Sequence, residues 1–305
     1  MADWLGRAIL AVTERSLVRR AFTDTRPGRA LARRFVAGEM LDDAVAAAEV
    51  LVANGCAVSL DHLGEHVTDR HEAMRARDDY LACLSRIGKS GIPANISVKL
   101  TQLGMGFDDQ LAAACLGELA EKAAAIGTTV TVDMEESAFT ESTIAIYSGA
   151  QRVHGNLGIA VQAYLHRTKA DVDRLIGLEG HIRLCKGAYA EADEVAFQSD
   201  GEINDEFDAL LEVLMMASET KLAVATHDEA RIEFAKELVA ARSAPFEFQM
   251  LFGVRGPLQR QLISEGYPLR IYVPYGVAWY PYLTRRLAER PANVLFFLRA
   301  LFGRR

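Results

Sequence analysis

The chain has 305 residues, half of them hydrophobic and a quarter charged, an ordinary globular balance with length enough for one large domain. Its net charge of −7 argues against nucleic acid as the main partner. Cys56, Cys83, Cys115 and Cys185 are scattered and form no C-x-x-C pair, which argues against a zinc site or redox dithiol and fits reduced core thiols.

Residues 1–40 read as an N-terminal helical arm. Its basic residues are all arginine, from Arg7 to Arg34, and Trp4, Leu5, Ile9, Val12 and Leu17 suggest an amphipathic helix broken at Pro27-Gly28. Two readings stand: helices packed on the main domain with solvated arginines, or an arm that touches anionic lipid or nucleic acid. No secretory leader is expected, because Met1 opens a charged amphipathic stretch. No apolar run approaches the roughly 18 residues needed to span a bilayer.

From residue 41 a rhythm begins. An Ala-rich helix is predicted over 41–53, stopped by Asn54-Gly55, then a strand over 57–61 and a long charged helix over 68–87. A strand over 94–99 precedes a helix over 111–126 with Asp108 as its cap. Strand 129–133, helix 137–153, strand 158–162 and a short helix over 169–176 follow. After a fifth strand over 181–186, two helical pieces are predicted, the second over 207–218. A strand over 222–226, a helix over 229–241, a strand over 246–250, a helix over 256–264 and a strand over 269–273 complete the pattern. Eight short apolar strands with helices between them call for a parallel sheet, and a closed (β/α)₈ TIM-like barrel over 41–305 is the natural solution. An open doubly wound sheet is the alternative, but no G-x-G-x-x-G follows any strand.

In such a barrel the active site lies at the C-terminal strand ends. Those ends carry Asp61, Lys99, Asp133, Gln162, Arg183 with Lys186, Thr226 with His227, Gln249 and Tyr272. After the eighth strand come Tyr282, Arg285, Arg286 and Glu289 at helical spacing, with Arg285 and Glu289 able to pair at i, i+4. The adjacent arginines read either as a solvated helix face or as a clamp for a carboxylate or phosphate. His62-Leu63-Gly64-Glu65-His66 matches H-x-x-E-H, but it follows a strand and contains a glycine, so it is read as loop and no metal site is expected. Lys99 or Lys186 could serve a Schiff-base aldolase.

The strand ends taken in order are Ser97-Val98-Lys99-Leu100, Val132-Asp133-Met134-Glu135-Glu136, Val161-Gln162-Ala163-Tyr164 and Arg183-Leu184-Cys185-Lys186-Gly187-Ala188-Tyr189. Then come Ala225-Thr226-His227, Glu247-Phe248-Gln249-Met250-Leu251-Phe252-Gly253 and Arg270-Ile271-Tyr272-Val273-Pro274-Tyr275-Gly276, with Arg285-Arg286-Leu287-Ala288-Glu289 after them. This series closely resembles the monofunctional bacterial proline dehydrogenases, over about residues 40–290. The resemblance implies a distorted barrel with extra N-terminal helices and a C-terminal helix, holding FAD. It implies oxidation of L-proline to Δ1-pyrroline-5-carboxylate by hydride transfer from C5 to flavin N5, with membrane quinone as acceptor and a pyrroline-5-carboxylate dehydrogenase downstream. The location it implies is cytoplasmic, with room for peripheral contact at the inner membrane. By resemblance, Arg285, Arg286 and Lys99 bind the proline carboxylate, Glu289 holds Arg285, and Tyr189, Leu251, Tyr272 and Tyr282 surround the ring. Asp133 orients Tyr272 or Lys99, and Arg183 sits against flavin N5. Gln162, Lys186, Ala188, Thr226, His227 and Gln249 contact the cofactor. Two departures are noted: Cys185 stands where valine is usual, and His227-Asp228 replaces His-Asn. The apolar C-terminal stretch 294–305 is expected to pack over the site, with a membrane-touching helix as the alternative.

Overall fold

Why the sequence closes into a barrel is visible in the alternation along each strand. The computed structural model describes residues 32–240 and 242–288, and for 285–288 the backbone alone. Eight strands form a closed parallel barrel in chain order: β1 (Ala57–His62), β2 (Ala94–Val98), β3 (Val130–Val132), β4 (Leu157–Gln162), β5 (His181–Cys185), β6 (Lys221–Ala225), β7 (Phe246–Leu251) and β8 (Leu269–Tyr275). β1 closes on β8 in a six-residue register from Ala57 opposite Arg270 to His62 opposite Tyr275. One set of alternate residues, such as Val58, Leu60, Ile96, Val98, Ile182 and Ile271, is buried in one continuous apolar core with the surrounding helices. Each such side chain contributes about 1.5–3 kcal/mol when fully buried.

The other alternate set points into the barrel and is largely polar, with Ala160 and Ala223 beside Arg183. Ser59 bonds Ser97 at 3.0 Å, and Asn95 donates to Thr131 at 3.2 Å. Arg183 on β5 reaches Ser97 on β2 at 2.9 Å, across the interior. Branched apolar side chains usually fill this space. Here hydrogen bonds do, so each inward residue needs its partner at the right height.

The helices are α1 (Leu41–Ala53) before β1, then α2 (Arg70–Ser90), α3 (Asp109–Ala125), α4 (Thr140–His154), α5 (Thr168–Ile176), α6 (Asp200–Met216), α7 (Glu229–Val239), α8 (Gly256–Ser264) and α9 (Trp279–Ala288). Asp69, Asp108, Ser199 and Asp228 each accept a backbone N–H at the start of their helices, worth about 1 kcal/mol apiece. Two expectations change. Residues 137–139 form a separate 3₁₀ turn before α4. The two helical pieces expected after β5 are one helix, α6, capped by Ser199 and strengthened by Asp200 and Glu202 in its first turn. The chain from Lys186 to Ser199 before it is irregular, tied down by a bridge between Leu165 and Ala196.

Ala32, Phe35 and Val36 pack with Leu63, Trp279, Tyr280, Tyr282 and Leu283 into a second apolar cluster above the barrel. Ala37 N–H donates to Pro274 O and Gly276 N–H to Gly38 O, both at 2.9 Å. Gly253, at φ +70, lies against this segment, and a Cβ there would collide with the Arg34 carbonyl oxygen.

On the barrel floor His181 bonds the Thr131 hydroxyl at 2.9 Å. Gly158 makes room for the ring, which a Cβ would strike. Burial, then the nearby Arg183, push the His181 pKa down from 6.5 to about 3. Between those values the unfolded chain binds a proton that the folded chain refuses, so stability falls as pH drops below 6.5. We expect urea denaturation to show this loss between pH 7 and 5. His181→Gln, which keeps a polar partner for Thr131, should flatten the slope by up to about 1.4 kcal/mol per pH unit.

Candidate active site

The C-terminal strand ends and the loops above them enclose a cavity of ≈ 800 Å³. Of the strand-end residues expected there, all but Asp61 border it, and so does every residue assigned by resemblance whose side chain is described. The end of β2 gives Lys99, β3 gives Asp133, β4 gives Gln162 and β5 gives Arg183 with Lys186, Ala188 and Tyr189 beyond it. Thr226 and His227 come after β6, Gln249 and Leu251 from β7, Tyr272 from β8 and Tyr282 from α9. Arg285 and Arg286 lie on α9, where the backbone alone is described, and Glu289 falls outside the described residues.

One side of the cavity, built by β1, β2, β3 and β8, is a buried charge cluster. Lys99 Nζ lies 3.3 Å from Asp61 Oδ1, 3.3 Å from Asp133 Oδ2 and 3.4 Å from the Tyr272 hydroxyl. Tyr272 donates to Asp133 Oδ2 at 2.6 Å. Arg183 donates to Asp133 Oδ1 at 2.5 Å and lies 5.3 Å from the Tyr272 ring centre, a cation–π distance. Burial works against charge on Asp133, but Lys99 and Arg183 outweigh it and the pKa is lowered. Burial raises Asp61, and Lys99 only partly offsets it. For Lys99, burial is overcome by Asp61 and then Asp133, so its pKa rises and the ammonium persists. Burial, reinforced by Asp133, keeps Tyr272 protonated and able to donate.

The other side comes from the loops after β5, β6 and β7. Lys186 Nζ donates to Asn204 on α6 and to Asp228 Oδ2 at 2.7 Å. His227 Nε2 accepts from Leu251 N–H at 3.0 Å, and Arg255 donates to His227 O at 2.8 Å and pairs with Glu229. Between the two sides, Gln162 Nε2 donates to Met134 O at 2.9 Å, and its Oε1 is buried with no partner among the described residues. Gly187, at φ +125, packs directly under the Tyr164 ring, where any side chain would collide.

Several functional neighbours escape a sequence reading. Asp61 was visible as a strand-end acid, but its pairing with Lys99 comes only from barrel closure. Asn204 and Arg255 were not singled out; Asp228 was noted only as a departure beside His227, and its pairing with Lys186 comes from the fold. Glu191 receives Ser137 N–H at 2.7 Å and the Ser137 hydroxyl at 2.6 Å, tying the Tyr189 loop to the loop after β3. In the H-x-x-E-H stretch His62 is the last residue of β1 and residues 63–66 are loop. Glu65, His66 and Glu135 bring ligand-type atoms within 4.8 Å of one another, yet Glu135 is held by Thr101 and His66 bonds Glu136 at 3.1 Å.

With this geometry in place, comparison with known proteins is direct. The profile of the family described as proline dehydrogenase matches residues 44–299. The chain belongs to that family. It is similar to proline dehydrogenase 1 of Bacillus subtilis subsp. natto, 38% identical over 273 residues, covering 88% of this chain and 90% of that protein. It is also similar to the proline dehydrogenase of Deinococcus radiodurans, 34% identical over 310 residues and covering 99% of both. In fold it resembles the crystal structure of proline utilization A from Bdellovibrio bacteriovorus, with a TM-score of 0.81 at 23% identity over 90% of this chain and 34% of that longer one. Membership makes the protein an oxidoreductase of proline catabolism on a TIM-barrel scaffold. Among the described residues no helix is long and apolar enough to cross a membrane.

Asp133 is the shared anion of two buried cations. Asp133→Ala should destabilise the fold by about 3–5 kcal/mol, because Lys99 and Arg183 lose their common partner. Asp133→Asn, which keeps an acceptor for Tyr272, should lose less. Urea denaturation of the two variants checks the order.

Proposed function

We propose that the protein is an FAD-dependent L-proline dehydrogenase that forms Δ1-pyrroline-5-carboxylate and delivers electrons to membrane quinone. The observation that carries this reading is the buried Lys99–Asp133–Tyr272–Arg183 cluster, set in one wall of a cavity whose other wall holds separate cationic groups. The division suits a small anionic substrate at one end and a long phosphate-bearing cofactor at the other. The unpartnered Gln162 Oε1 supports the fit, since a heterocyclic N–H is the donor it lacks. Gln162, Arg183, Lys186, Ala188, Thr226, His227 and Gln249 would hold the FAD, and Arg255 adds a cation near His227. When bound, FAD supplies the acceptor for the hydride leaving proline C5.

The protein's own share is binding, orientation and electrostatics. Arg285 and Arg286 would take the proline carboxylate as paired guanidinium donors. The N–H donors of Lys99 face Asp61, Asp133 and Tyr272, so Lys99 would draw the carboxylate by charge or by releasing Tyr272. Tyr189, Leu251, Tyr272 and Tyr282 would close around the ring and exclude water. Arg183 keeps positive charge at the cavity wall, which favours a site that gains negative charge. The amine must be neutral for hydride to leave, and no side chain is assigned as its base. A quinone acceptor would call for peripheral contact with the membrane, and the product for a dehydrogenase that consumes it. A Schiff-base aldolase fits poorly: its lysine needs a lowered pKa, and Lys99 is raised.

The purified protein should be yellow, and millimolar L-proline should bleach it under anaerobic conditions; flavin that stays oxidised would end the reading. Arg286→Lys should raise KM for proline about ten-fold or more while flavin stays bound, because lysine cannot make the bidentate contact. Steady-state kinetics at fixed flavin content measures it.

A further inference from the structure

Arg183 presents donors on three nitrogens, and each has a defined acceptor. Nε donates to Gln249 Oε1 at 2.6 Å, Nη1 to Asp133 and Nη2 to Ser97 Oγ. Two of these acceptors are fixed by chemistry, a carboxylate and a hydroxyl. The third is an amide, which could equally turn its NH₂ toward Arg183 and set donor against donor. Gln249 itself does not determine which end faces the arginine. Glu247 does. Its carboxylate only accepts, and Gln249 Nε2 donates to Glu247 Oε1 at 2.6 Å, which leaves Oε1 for Arg183.

Glu247 is anchored in turn. Arg270 Nε donates to the same Oε1 at 2.6 Å, and Arg270 Nη1 donates to Val58 O at 2.9 Å and Asn95 Oδ1 at 3.3 Å. Glu247 and Gln249 are two apart on β7 and so share its inward face, with Glu247 nearer the N-terminal end. Glu247 does not border the cavity. Burial raises its pKa, but Arg270 outweighs that and the net direction is down, so it remains an acceptor at neutral pH.

We propose that Glu247 is a positioning residue for the reaction: by fixing the Gln249 amide it holds the Arg183 guanidinium in its working orientation from the opposite end of the barrel. The inference rests on the placing of Arg183 in the flavin site proposed above. Glu247 touches neither substrate nor cofactor.

The test is a cycle on the holoenzyme. Glu247→Leu with Arg270→Leu removes the acceptor without leaving Arg270 unpaired. It is made in the wild-type background and in Arg183→Met, and the flavin midpoint potential, kcat and KM are measured in all four proteins. With Arg183 present, we expect kcat to fall roughly three- to ten-fold, KM for proline to change less, and the potential to drop. With Arg183→Met the same replacement should move neither potential nor kcat further, because its effect runs through Arg183. Equal shifts in both backgrounds, or none in either, would overturn the proposal. If the leucine pair does not fold, Glu247→Asp withdraws the acceptor by one methylene with the charge intact and is read in the same cycle. An Arg183→Met enzyme with unchanged potential and kcat would instead overturn the placing of Arg183, and that single variant tells the two failures apart.

Discussion

The buried charges on one side of the cavity meet on one carboxylate. Asp133 receives Arg183, Lys99 and Tyr272 at once, and each comes from a different strand. An isolated buried carboxylate would neutralise itself, because desolvating its charge costs several kcal/mol. Two buried cations prevent that here; without Asp133, Arg183 would lose its only carboxylate partner among the described residues, while Lys99 would keep Asp61. The members of the cluster hold one another at fixed distances before any substrate arrives. Such preorganisation matters where charge must be stabilised without solvent rearrangement.

That cluster dictates what can fill the barrel. A ring of branched side chains would pack well but leave Asp133, Arg183 and Lys99 with open hydrogen-bond positions. The inward residues instead form connected layers, from Arg270, Glu247 and Asn95 at the floor, through Gln249, Ser97 and Ser59, to Asp61, Lys99 and Tyr272 at the mouth. A one-residue slip of any strand would turn its polar set outward into the apolar core. The polar interior thus helps fix strand register, while the outward-facing aliphatic residues supply the burial energy.

The strands were legible because their outward residues are mostly β-branched or leucine, aromatic and Met in β7, and their neighbours are punctuated by Gly, Asn and Asp. α1 and α8 were placed at their observed ends for the same reason. The start of α6 was not placed: the second helical piece was set at 207, whereas Ser199 caps the helix and Asp200 and Glu202 favour its positive end. Strand-end polar residues were legible as a set, since topology alone sends them to one rim. Their pairing was not. Nothing local links Lys186 to Asn204 and Asp228, or Asp61 to Lys99, because those contacts are set by barrel closure and by loop paths. The pair Arg285 and Arg286 is the reverse case: its spacing is plain in the sequence, and its side chains lie outside those described.

The floor and the mouth of the barrel are usually assigned separate duties, stability below and chemistry above. Here the interior hydrogen bonds join them. Arg270 holds Glu247, Glu247 sets the direction of Gln249, and Gln249 completes the coordination of Arg183. An amide is the one link in that chain that can be reversed without moving an atom elsewhere, so it is the link that needs a neighbour to set it. A glutamate in place of Gln249 would need no such neighbour, but it would add a second anion beside Arg183 and weaken the positive charge presented to the cavity. Glutamine kept in register by a distant glutamate preserves both the acceptor and the charge.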